Sequence, residues 1–128
     1  MRIYLSGGMR GDWQDRVMAA CPGHTYLDPR LAGLTEPVEY TAWDLDAVRH
    51  SDLVFAYMAA DNPSGHGLAL EVGWAIGMGI PVLLVDDKRE PSMAIVREAA
   101  TWLLPSLADG VAELRRMATT EHLSLYLT

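Results

Sequence analysis

Cysteine, basic residues and long apolar runs are all scarce in this sequence, and each shortage excludes something. The single cysteine, Cys21, rules out a disulfide within the chain, and without a paired histidine we expect it to be structural and inert. Ten Lys and Arg against 17 Asp and Glu give a formal net charge of -7, which argues against nucleic acids and anionic membranes as partners. No uninterrupted apolar stretch reaches about 18 residues, and the first residues read as a strand instead of a signal peptide, so we expect a cytoplasmic protein.

Nucleotide-binding and metal-binding motifs are missing as well. The first apolar run leads into Ser-Gly-Gly-Met-Arg-Gly at residues 6–11, which has neither the G-x-G-x-x-G nor the Walker spacing. A dinucleotide or nucleoside triphosphate site is therefore unsupported. No Cys/His or carboxylate cluster has the spacing of metal ligands, so we expect no metal and no cofactor.

Short apolar runs alternate with helical patterns along the 128 residues. The predicted strands are residues 2–5, 25–27, 53–58, 81–85 and 101–104, and the predicted helices are residues 13–20, 42–50, 67–79, 92–99 and 107–117. This alternation predicts the α/β class: a single doubly wound, flavodoxin-like domain over residues 1–128, with a five-stranded parallel sheet in the order 2-1-3-4-5. In that order the loops at 7–11 and 59–67 face one crevice.

The helix starts are predicted from capping residues, which are Asp12, Thr41 with Asp44, Ser92, and Ser106 with Asp109. Between the second strand and the second helix, residues 30–39 show no period. They are a candidate pocket wall or lid, and an ordinary surface loop is the alternative. Residues 122–128 alternate weakly and fit no element.

The segment from residue 62 to residue 79 is the best candidate for a site. Its two loop glycines, Gly65 and Gly67, allow a ligand to come close, and the following helix would aim unpaired N–H groups at the loop. Glu71 falls in the first turn of the predicted helix, where the helix dipole favours an ionised carboxylate, and such a carboxylate is a candidate nucleophile. Acidic residues are also common in first turns for capping reasons alone, so a structural role stays open.

Three blocks of sequence stand in a recognisable order. They are IYLSGGMRG at residues 3–11, Asp44-Leu45-Asp46 with Ser51-Asp52, and GLALEVGWA at residues 67–75. Together they resemble the nucleoside 2-deoxyribosyltransferase superfamily, which includes nucleoside 5'-monophosphate N-glycosidases. The third block is similar to that family's G-x-x-x-E-[LIV]-G-x-A signature. The resemblance covers roughly residues 1–118.

The resemblance implies three catalytic residues. Glu71 would attack the anomeric carbon of the sugar, Tyr4 would orient Glu71, and Asp44 would hold the sugar hydroxyls. The implied reaction cleaves the N-glycosidic bond of a (deoxy)nucleoside through a covalent glycosyl-Glu intermediate and passes the sugar to another base or to water. Two plainer interpretations stay open: Tyr4 as a half-buried strand aromatic, and Asp44 as part of a cap with Thr41.

The predicted substrate-binding residues are Gly7, Gly8, Met9, Arg10, Ser64, Gly65, His66 and Gly67. The chain departs from the family at two of them. Deoxyribosyltransferases often carry a further Asp six residues before the nucleophile, where this chain has Gly65, and Asp61 or Ser64 is the candidate substitute. The monophosphate N-glycosidases carry an Arg-Gly turn and a Pro-Ser pair, and this chain keeps Arg10 but has one extra residue between Ser64 and Glu71.

Three functions follow from these residues. The first is a nucleoside 2-deoxyribosyltransferase-like enzyme. The alternative is a (deoxy)nucleoside 5'-monophosphate N-glycosidase, with the phosphate seated by Arg10, Ser64 and the turn at 7–11. The third is a non-catalytic nucleotide sensor, since fold and pocket do not fix function. In each case the partner is a small-molecule nucleoside or nucleotide.

A homodimer or higher homo-oligomer is also expected. The later helices carry apolar residues on both sides, and the tail at residues 123–127 could bury itself against a neighbour. The resemblance implies that a residue of the partner subunit completes each site, and Ser92 or Met93 lies near the matching place.

Overall fold

The computed structural model describes the backbone of residues 1–127 and the side chains of residues 1–118. The strands are β1 (Arg2–Gly7), β2 (Thr25–Leu27), β3 (Leu53–Met58), β4 (Val82–Asp86) and β5 (Trp102–Leu104). The helices are α1 (Trp13–Ala20), α2 (Pro37–Arg49), α3 (His66–Gly77), α4 (Ala94–Ala99) and α5 (Leu107–Leu127). Short 3₁₀ turns cover Pro29–Leu31 and Pro91–Met93.

All five strands pair in parallel to form one sheet in the order β2-β1-β3-β4-β5, which confirms the predicted α/β fold and strand order. Strand β1 lies between β2 and β3, with Tyr4 opposite Leu27 on one side and Val54 on the other. From β1 the chain first adds β2 on one side and then crosses back to add β3 on the other side of β1. The carboxyl ends of β1 and β3 therefore flank the crevice in which sheets of this kind bind ligands.

Successive side chains of the central strands pack against opposite layers of helices. One layer is formed by α2, α3 and α4, and the strand residues buried against it are Tyr4, Val54, Ala56, Met58, Val82 and Leu84. The other layer is formed by α1 and α5, and the strand residues buried against it are Ile3, Leu5, Leu53, Phe55, Leu83 and Val85. Because the side-chain period of a strand is two, Ser6 faces the same layer as Tyr4.

Helix α2 begins earlier than predicted. Its first residue is Pro37, not residue 42, because proline is favoured at the first helical position, where the missing N–H is no loss. Thr41 therefore lies inside the helix, and the predicted cap with Asp44 is wrong. Residues 30–39, for which no element was predicted, form the end of a 3₁₀ turn, a loop at 32–36 and the first residues of α2.

Helix α1 spans Trp13–Ala20 as predicted, and of the three remaining predicted caps one makes its side-chain hydrogen bond and two do not. Ser106 accepts the Asp109 N–H at 3.1 Å, so the predicted cap of α5 is confirmed. Asp12 makes no side-chain cap bond to α1. Ser92 instead donates to the Glu90 carboxylate at 3.1 Å, and α4 begins at Ala94.

Helix α5 continues to Leu127, well past the predicted end at residue 117. The side chains of the tail at 123–127, on which part of the oligomer expectation depends, lie outside the described residues. Over residues 1–127, no helix combines the length and the apolar character needed to cross a membrane.

Candidate active site

Glu71 lies one residue further into α3 than predicted, which places it in the second turn. The helix begins at His66, which makes Glu71 its sixth residue, so the expected first-turn stabilisation by the helix dipole is wrong. The side chain contacts residues of the sheet and not the loop before the helix. Glu71 is 8% exposed and faces strand β1.

Two hydroxyl groups from β1 hold the Glu71 carboxylate. The Tyr4 hydroxyl donates to Glu71 Oε2 at 2.7 Å, and Ser6 Oγ donates to Glu71 Oε1 at 2.7 Å. Tyr4 and Ser6 are fully buried, and both bonds are within the short range typical of a charged acceptor. Each carboxylate oxygen thus accepts one hydrogen bond and keeps lone-pair capacity for a further partner.

The environment of Glu71 disfavours its ionised form. Burial raises the pKa of Glu71 from its usual 4.5 to about 7, the hydrogen bonds from Tyr4 and Ser6 oppose that rise, and the nearby Asp44 carboxylate adds to it. Burial, and then the charge of Glu71, raise the pKa of Tyr4 well above its usual 10.0. Tyr4 therefore stays a hydrogen-bond donor while Glu71 changes charge near neutral pH.

Asp44 belongs to the same cluster. It is the eighth residue of α2, the helix that packs beside α3, and it lies close enough to Tyr4 and Glu71 to affect the pKa of both. Burial raises the pKa of Asp44, and its polar contacts with Glu71 and then Tyr4 oppose the rise. The structure thus brings together all three predicted catalytic residues, Tyr4, Asp44 and Glu71.

Ser6 is the residue of this cluster that sequence reasoning missed. It stood at the start of the Gly-rich turn and was treated as part of that loop. The structure extends β1 to Gly7, so Ser6 is a strand residue on the same face as Tyr4. The alternation Ile3-Tyr4-Leu5-Ser6, with polar groups at every second position of a buried strand, was the signal that could have revealed it.

The two Gly-rich loops meet at a cavity, as the strand order predicted. A cavity of about 210 Å³ is lined by residues 8–10, Trp13, Ala59 and residues 61–63. The Asn62 side chain lies over Gly8, where an added Cβ would be 3.5 Å from its amide nitrogen. Three predicted substrate-binding residues, Gly8, Met9 and Arg10, line this cavity, whereas Ser64, Gly65, His66 and Gly67 do not.

Gly65 and Gly7 have packing reasons to be glycine. Gly65 precedes α3 with a φ of 77°, and an added Cβ would lie 2.5 Å from Cε of Met58. Cε of Met93 is 3.3 Å from the same point, so Met93 packs inside its own chain and is 8% exposed. Gly7 approaches the backbone of β3, where its Cβ would lie 2.6 Å from the Tyr57 carbonyl oxygen. A larger residue at Gly7 or Gly65 would therefore clash with these neighbours.

Arg10 is exposed at the rim of the cavity and, within the described part of the chain, has no ion pair or side-chain hydrogen bond. Asp15, five residues further along the chain, pairs with Arg30 at 2.8 Å and not with Arg10. The Arg10 guanidinium is thus available to a ligand. Ser64 and His66 are also exposed.

Residues 1–118 contain no group of three or more His, Cys, Asp or Glu side chains arranged to hold a metal ion. The largest concentration of perturbed titratable groups is the cluster of Tyr4, Asp44 and Glu71. Clusters of perturbed titratable groups are typical of catalytic sites, and Ser6 of this one lies two residues before Gly8, which lines the cavity.

Solved structures share this architecture. The chain is similar to a 2-deoxyribosyltransferase from Bacillus psychrosaccharolyticus, with a TM-score of 0.69 and 22% identity over 85% of this chain and 89% of the other. It is similar to the CMP N-glycosidase BcmB of Clostridium botulinum, with a TM-score of 0.66 and 17% identity over 90% and 98% of the two chains. It is also similar to a 2-deoxyribosyltransferase from Leishmania mexicana, with a TM-score of 0.58 and 22% identity over 72% and 68%.

No protein-family model matches the chain, and no curated protein matches it in sequence. The solved structures nevertheless establish that the chain has the fold of the nucleoside 2-deoxyribosyltransferases and nucleotide N-glycosidases. The resemblance drawn from the three sequence blocks is thereby confirmed at the level of the fold. These three structures are at most 22% identical to the chain, so the activity has to be argued from the site itself.

Proposed function

We propose that this protein is an enzyme of the nucleoside 2-deoxyribosyltransferase superfamily that cleaves the N-glycosidic bond of a nucleoside or nucleotide. One observation carries the proposal. Glu71 is a buried carboxylate beside β1, with one oxygen held by Tyr4 and the other by Ser6. A carboxylate fixed in this way is oriented for attack on carbon.

The reaction proceeds in two displacements. An oxygen of ionised Glu71 attacks the anomeric carbon, the bond from that carbon to the base nitrogen breaks, and the bonding electron pair leaves with the base, which takes up a proton. A glycosyl ester of Glu71 results. In the second step the oxygen of water or the nitrogen of another base attacks the same carbon, gives up its proton to solvent and releases the Glu71 carboxylate. Two inversions at one carbon give net retention of configuration.

Tyr4 and Ser6 support both steps through their hydrogen bonds. They stabilise the ionised carboxylate before attack and again when it leaves, and they keep both oxygens from rotating. Asp44 accepts hydrogen bonds from the sugar hydroxyls and so fixes the ring beside Glu71. Sugar binding at Asp44 has an electrostatic consequence as well, because hydrogen bonds to the Asp44 carboxylate weaken its repulsion of ionised Glu71.

The first experiment is a panel of nucleosides and their 5'-monophosphates, incubated with the protein with and without a second base. We expect release of free base from at least one member, and transfer of the sugar when a second base is present. A protein that binds members of the panel but releases no base from any of them would instead be a nucleotide sensor.

The free guanidinium of Arg10 favours a second candidate, a 5'-monophosphate N-glycosidase. A charge-assisted contact to phosphate is worth about 1.5 to 3 kcal/mol, or roughly tenfold to over a hundredfold in affinity. Ser64, the other proposed phosphate ligand, does not line the cavity that Arg10 lines, which supports the transferase. A preference above tenfold for a monophosphate over its nucleoside, in kcat/KM, that vanishes in Arg10→Ala would establish the N-glycosidase instead.

We further propose that the protein is a homodimer or higher homo-oligomer joined through the outer face of α3. Glu71 is the only Asp, Glu, Lys or Arg of α3, and it points inward. The outer face carries Leu70, which is 52% exposed, and Ile76, which is 39% exposed. A Cβ at Gly73 or Gly77 would meet nothing within 4 Å, so these glycines leave room for another helix to come close.

Light scattering tests this proposal. We expect a dimer or larger species for the native protein and a monomer for Leu70→Glu, while Leu31→Glu, an exposed position outside α3, keeps the native mass. A strictly monomeric native protein at working concentration would refute it. Since Met93 is buried in its own chain, exposed Ser92 is the residue left to reach a neighbouring site.

A further inference from the structure

Two loops that follow neighbouring strands run side by side at the carboxyl edge of the sheet. Residues 59–65, between β3 and α3, are called here the β3 loop, and residues 87–90, after β4, the β4 loop. The two strands pair in parallel with Met58 opposite Asp86, so both loops leave the sheet at the same level. The Asp87 N–H donates to the Met58 carbonyl oxygen at 3.0 Å, which continues the pairing into the β4 loop. The β4 loop is therefore in a position to hold the β3 loop.

Lys88 makes the contact between the two loops. Its Nζ donates to the Asn62 carbonyl oxygen and lies 3.9 Å from the Glu90 carboxylate, and its side chain is 18% exposed. Within residues 1–118, this is the only side-chain hydrogen bond donated to the β3 loop from another part of the chain. Lys88 is also the only lysine of the sequence. Its compact ammonium suits a single carbonyl acceptor, whereas the guanidinium of an arginine is a planar fork.

The β4 loop is fixed on both sides of Lys88. Buried Asp86 accepts the Arg89 N–H at 2.9 Å and the Arg97 guanidinium at 2.8 Å. Arg97 also donates to the Glu90 carbonyl oxygen at 2.8 Å. Arg89 has a left-handed φ of 58°, which a residue other than glycine keeps only when its surroundings impose it. The backbone that carries Lys88 is thus a firm anchor for its side chain.

The β3 loop forms part of the wall of the cavity of about 210 Å³. Ala59 and residues 61–63 line this cavity together with the turn after β1. Asn62 is the residue that reaches across, since its side chain lies over Gly8 and its N–H donates to the Ala59 carbonyl oxygen at 3.0 Å. A hydrogen bond from Lys88 to the Asn62 carbonyl therefore controls how closely this wall approaches Gly8.

We propose that Lys88 is a positioning residue that holds the β3 loop in the conformation that binds substrate. The inference rests on the proposed function, because it takes the cavity to receive the substrate of Glu71. Without the Lys88 ammonium the loop gains conformations in which Asn62 stands away from Gly8, and only molecules with the native wall bind at native affinity. A hydrogen bond from a charged donor changes such a population by roughly tenfold to over a hundredfold.

The catalytic cluster is held independently of this loop. Glu71 is fixed by Tyr4 and Ser6 of β1, and the hydrogen bond and ion pair of Lys88 involve none of these three residues. Loss of Lys88 should therefore weaken binding and leave the chemical step nearly unchanged. A residue that merely stabilised the whole site would lower affinity and kcat together.

The test replaces Lys88 by methionine, which keeps the length of the side chain and removes the donor. Dissociation constants for the panel of nucleosides and 5'-monophosphates are measured by calorimetry in the Glu71→Gln background, which cannot form the glycosyl ester. We expect the ligand that binds most tightly to lose about tenfold in affinity, the lower end of the range because the turn bond of Asn62 remains. In the active protein kcat should stay within about threefold.

Amide hydrogen exchange of the free protein gives a readout that needs no ligand. The Asn62 N–H should exchange at least about tenfold faster in Lys88→Met, because the turn that protects it opens more often once its carbonyl is released. Lys88→Arg keeps a charged donor and should return both affinity and exchange to within about threefold of native.

Arg89→Met is the matched control. It removes a positive charge from the next residue, whose exposed side chain has no hydrogen bond or ion pair within residues 1–118, so affinity and exchange should stay native. Glu90→Gln removes the ion-pair partner of Lys88 but leaves its bond to Asn62, and affinity should stay within about threefold.

Native affinity or native exchange of the Asn62 N–H in Lys88→Met would overturn the inference. An equal loss in Arg89→Met, a fall in kcat as large as the loss in affinity, or no binding of any panel member would overturn it as well. Weaker binding and faster exchange in Lys88→Met, together with no base release by the native protein, would uphold the inference and refute the proposed enzymatic function.

Discussion

Replacing Glu71 by glutamine is expected to change how the free energy of unfolding depends on pH. Glutamine keeps the shape of the side chain and can still pair with the hydroxyls of Tyr4 and Ser6, but it carries no charge at any pH. In the native protein the pKa of Glu71 is raised to about 7 from its usual 4.5. The folded state therefore binds more protons than the unfolded state between these two values.

The sign follows from proton linkage. Well below pH 4.5 Glu71 is neutral in both the folded and the unfolded state, so it does not change the free energy of unfolding. As pH rises through 7 the folded state must ionise a buried group, which lowers the free energy of unfolding. Native stability thus falls across this window. Because each tenfold change in an acid constant is worth about 1.4 kcal/mol, the rise in pKa corresponds to about 3 kcal/mol, of which roughly 2 to 3 kcal/mol appears between pH 5 and 8.

Denaturant unfolding of both proteins at pH 5 and pH 8 measures this effect. Relative to the native protein, Glu71→Gln should gain about 2 to 3 kcal/mol at pH 8 over its difference at pH 5. The control is Glu113→Gln. Glu113 is paired with Arg116, which lowers the pKa of its carboxyl, so its titration lies below the tested window. Parallel pH dependences for the native protein and Glu71→Gln would refute the claim that burial raises the pKa of Glu71.

Two further predictions test the site and the fold. Tyr4→Phe removes the 2.7 Å hydrogen bond to Glu71, so the Glu71 carboxyl should keep its proton to higher pH. We expect kcat/KM to fall about tenfold at pH 7 and the acid limb of its pH profile to move to higher pH. An acid limb at the native position would contradict this. Gly110→Ala should lower stability by about 1 to 3 kcal/mol, since the new Cβ would lie 2.3 Å from Cγ2 of Val85, whereas Gly67→Ala, with nothing within 4 Å, should be neutral or stabilising in the same melt.

The fold and the core of the site could be predicted because both depend on patterns local to the chain. Apolar runs spaced by helical segments determine a parallel sheet, and the resemblance of short blocks brought Tyr4, Asp44 and Glu71 to one place. The strand order then placed the loops at 7–11 and 59–67 on one cavity, and the structure agrees.

The failed predictions have two causes: local helix-start signals that were given too little weight, and one contact between distant segments. Glu71 was assigned to a first turn because Gly67 resembled a helix start, but Gly65 takes the left-handed conformation that begins α3 earlier. Ser6 was missed because its partner is 65 residues away along the chain. The predicted start of α2 was too late because the capping-box spacing of Thr41 was preferred over Pro37. Proline at the first helical position is a local signal, and no tertiary contact is needed to explain it.

Base release by Glu71→Gln is the measurement that tests the central claim most directly. With the substrate that the nucleoside and monophosphate panel identifies, the account predicts that kcat falls at least about a thousandfold, because an amide cannot form the glycosyl ester. Binding of the same substrate should stay within about tenfold, since the fold and the hydrogen bonds around position 71 persist. Turnover by Glu71→Gln within tenfold of the native rate would contradict the account and remove Glu71 as the nucleophile.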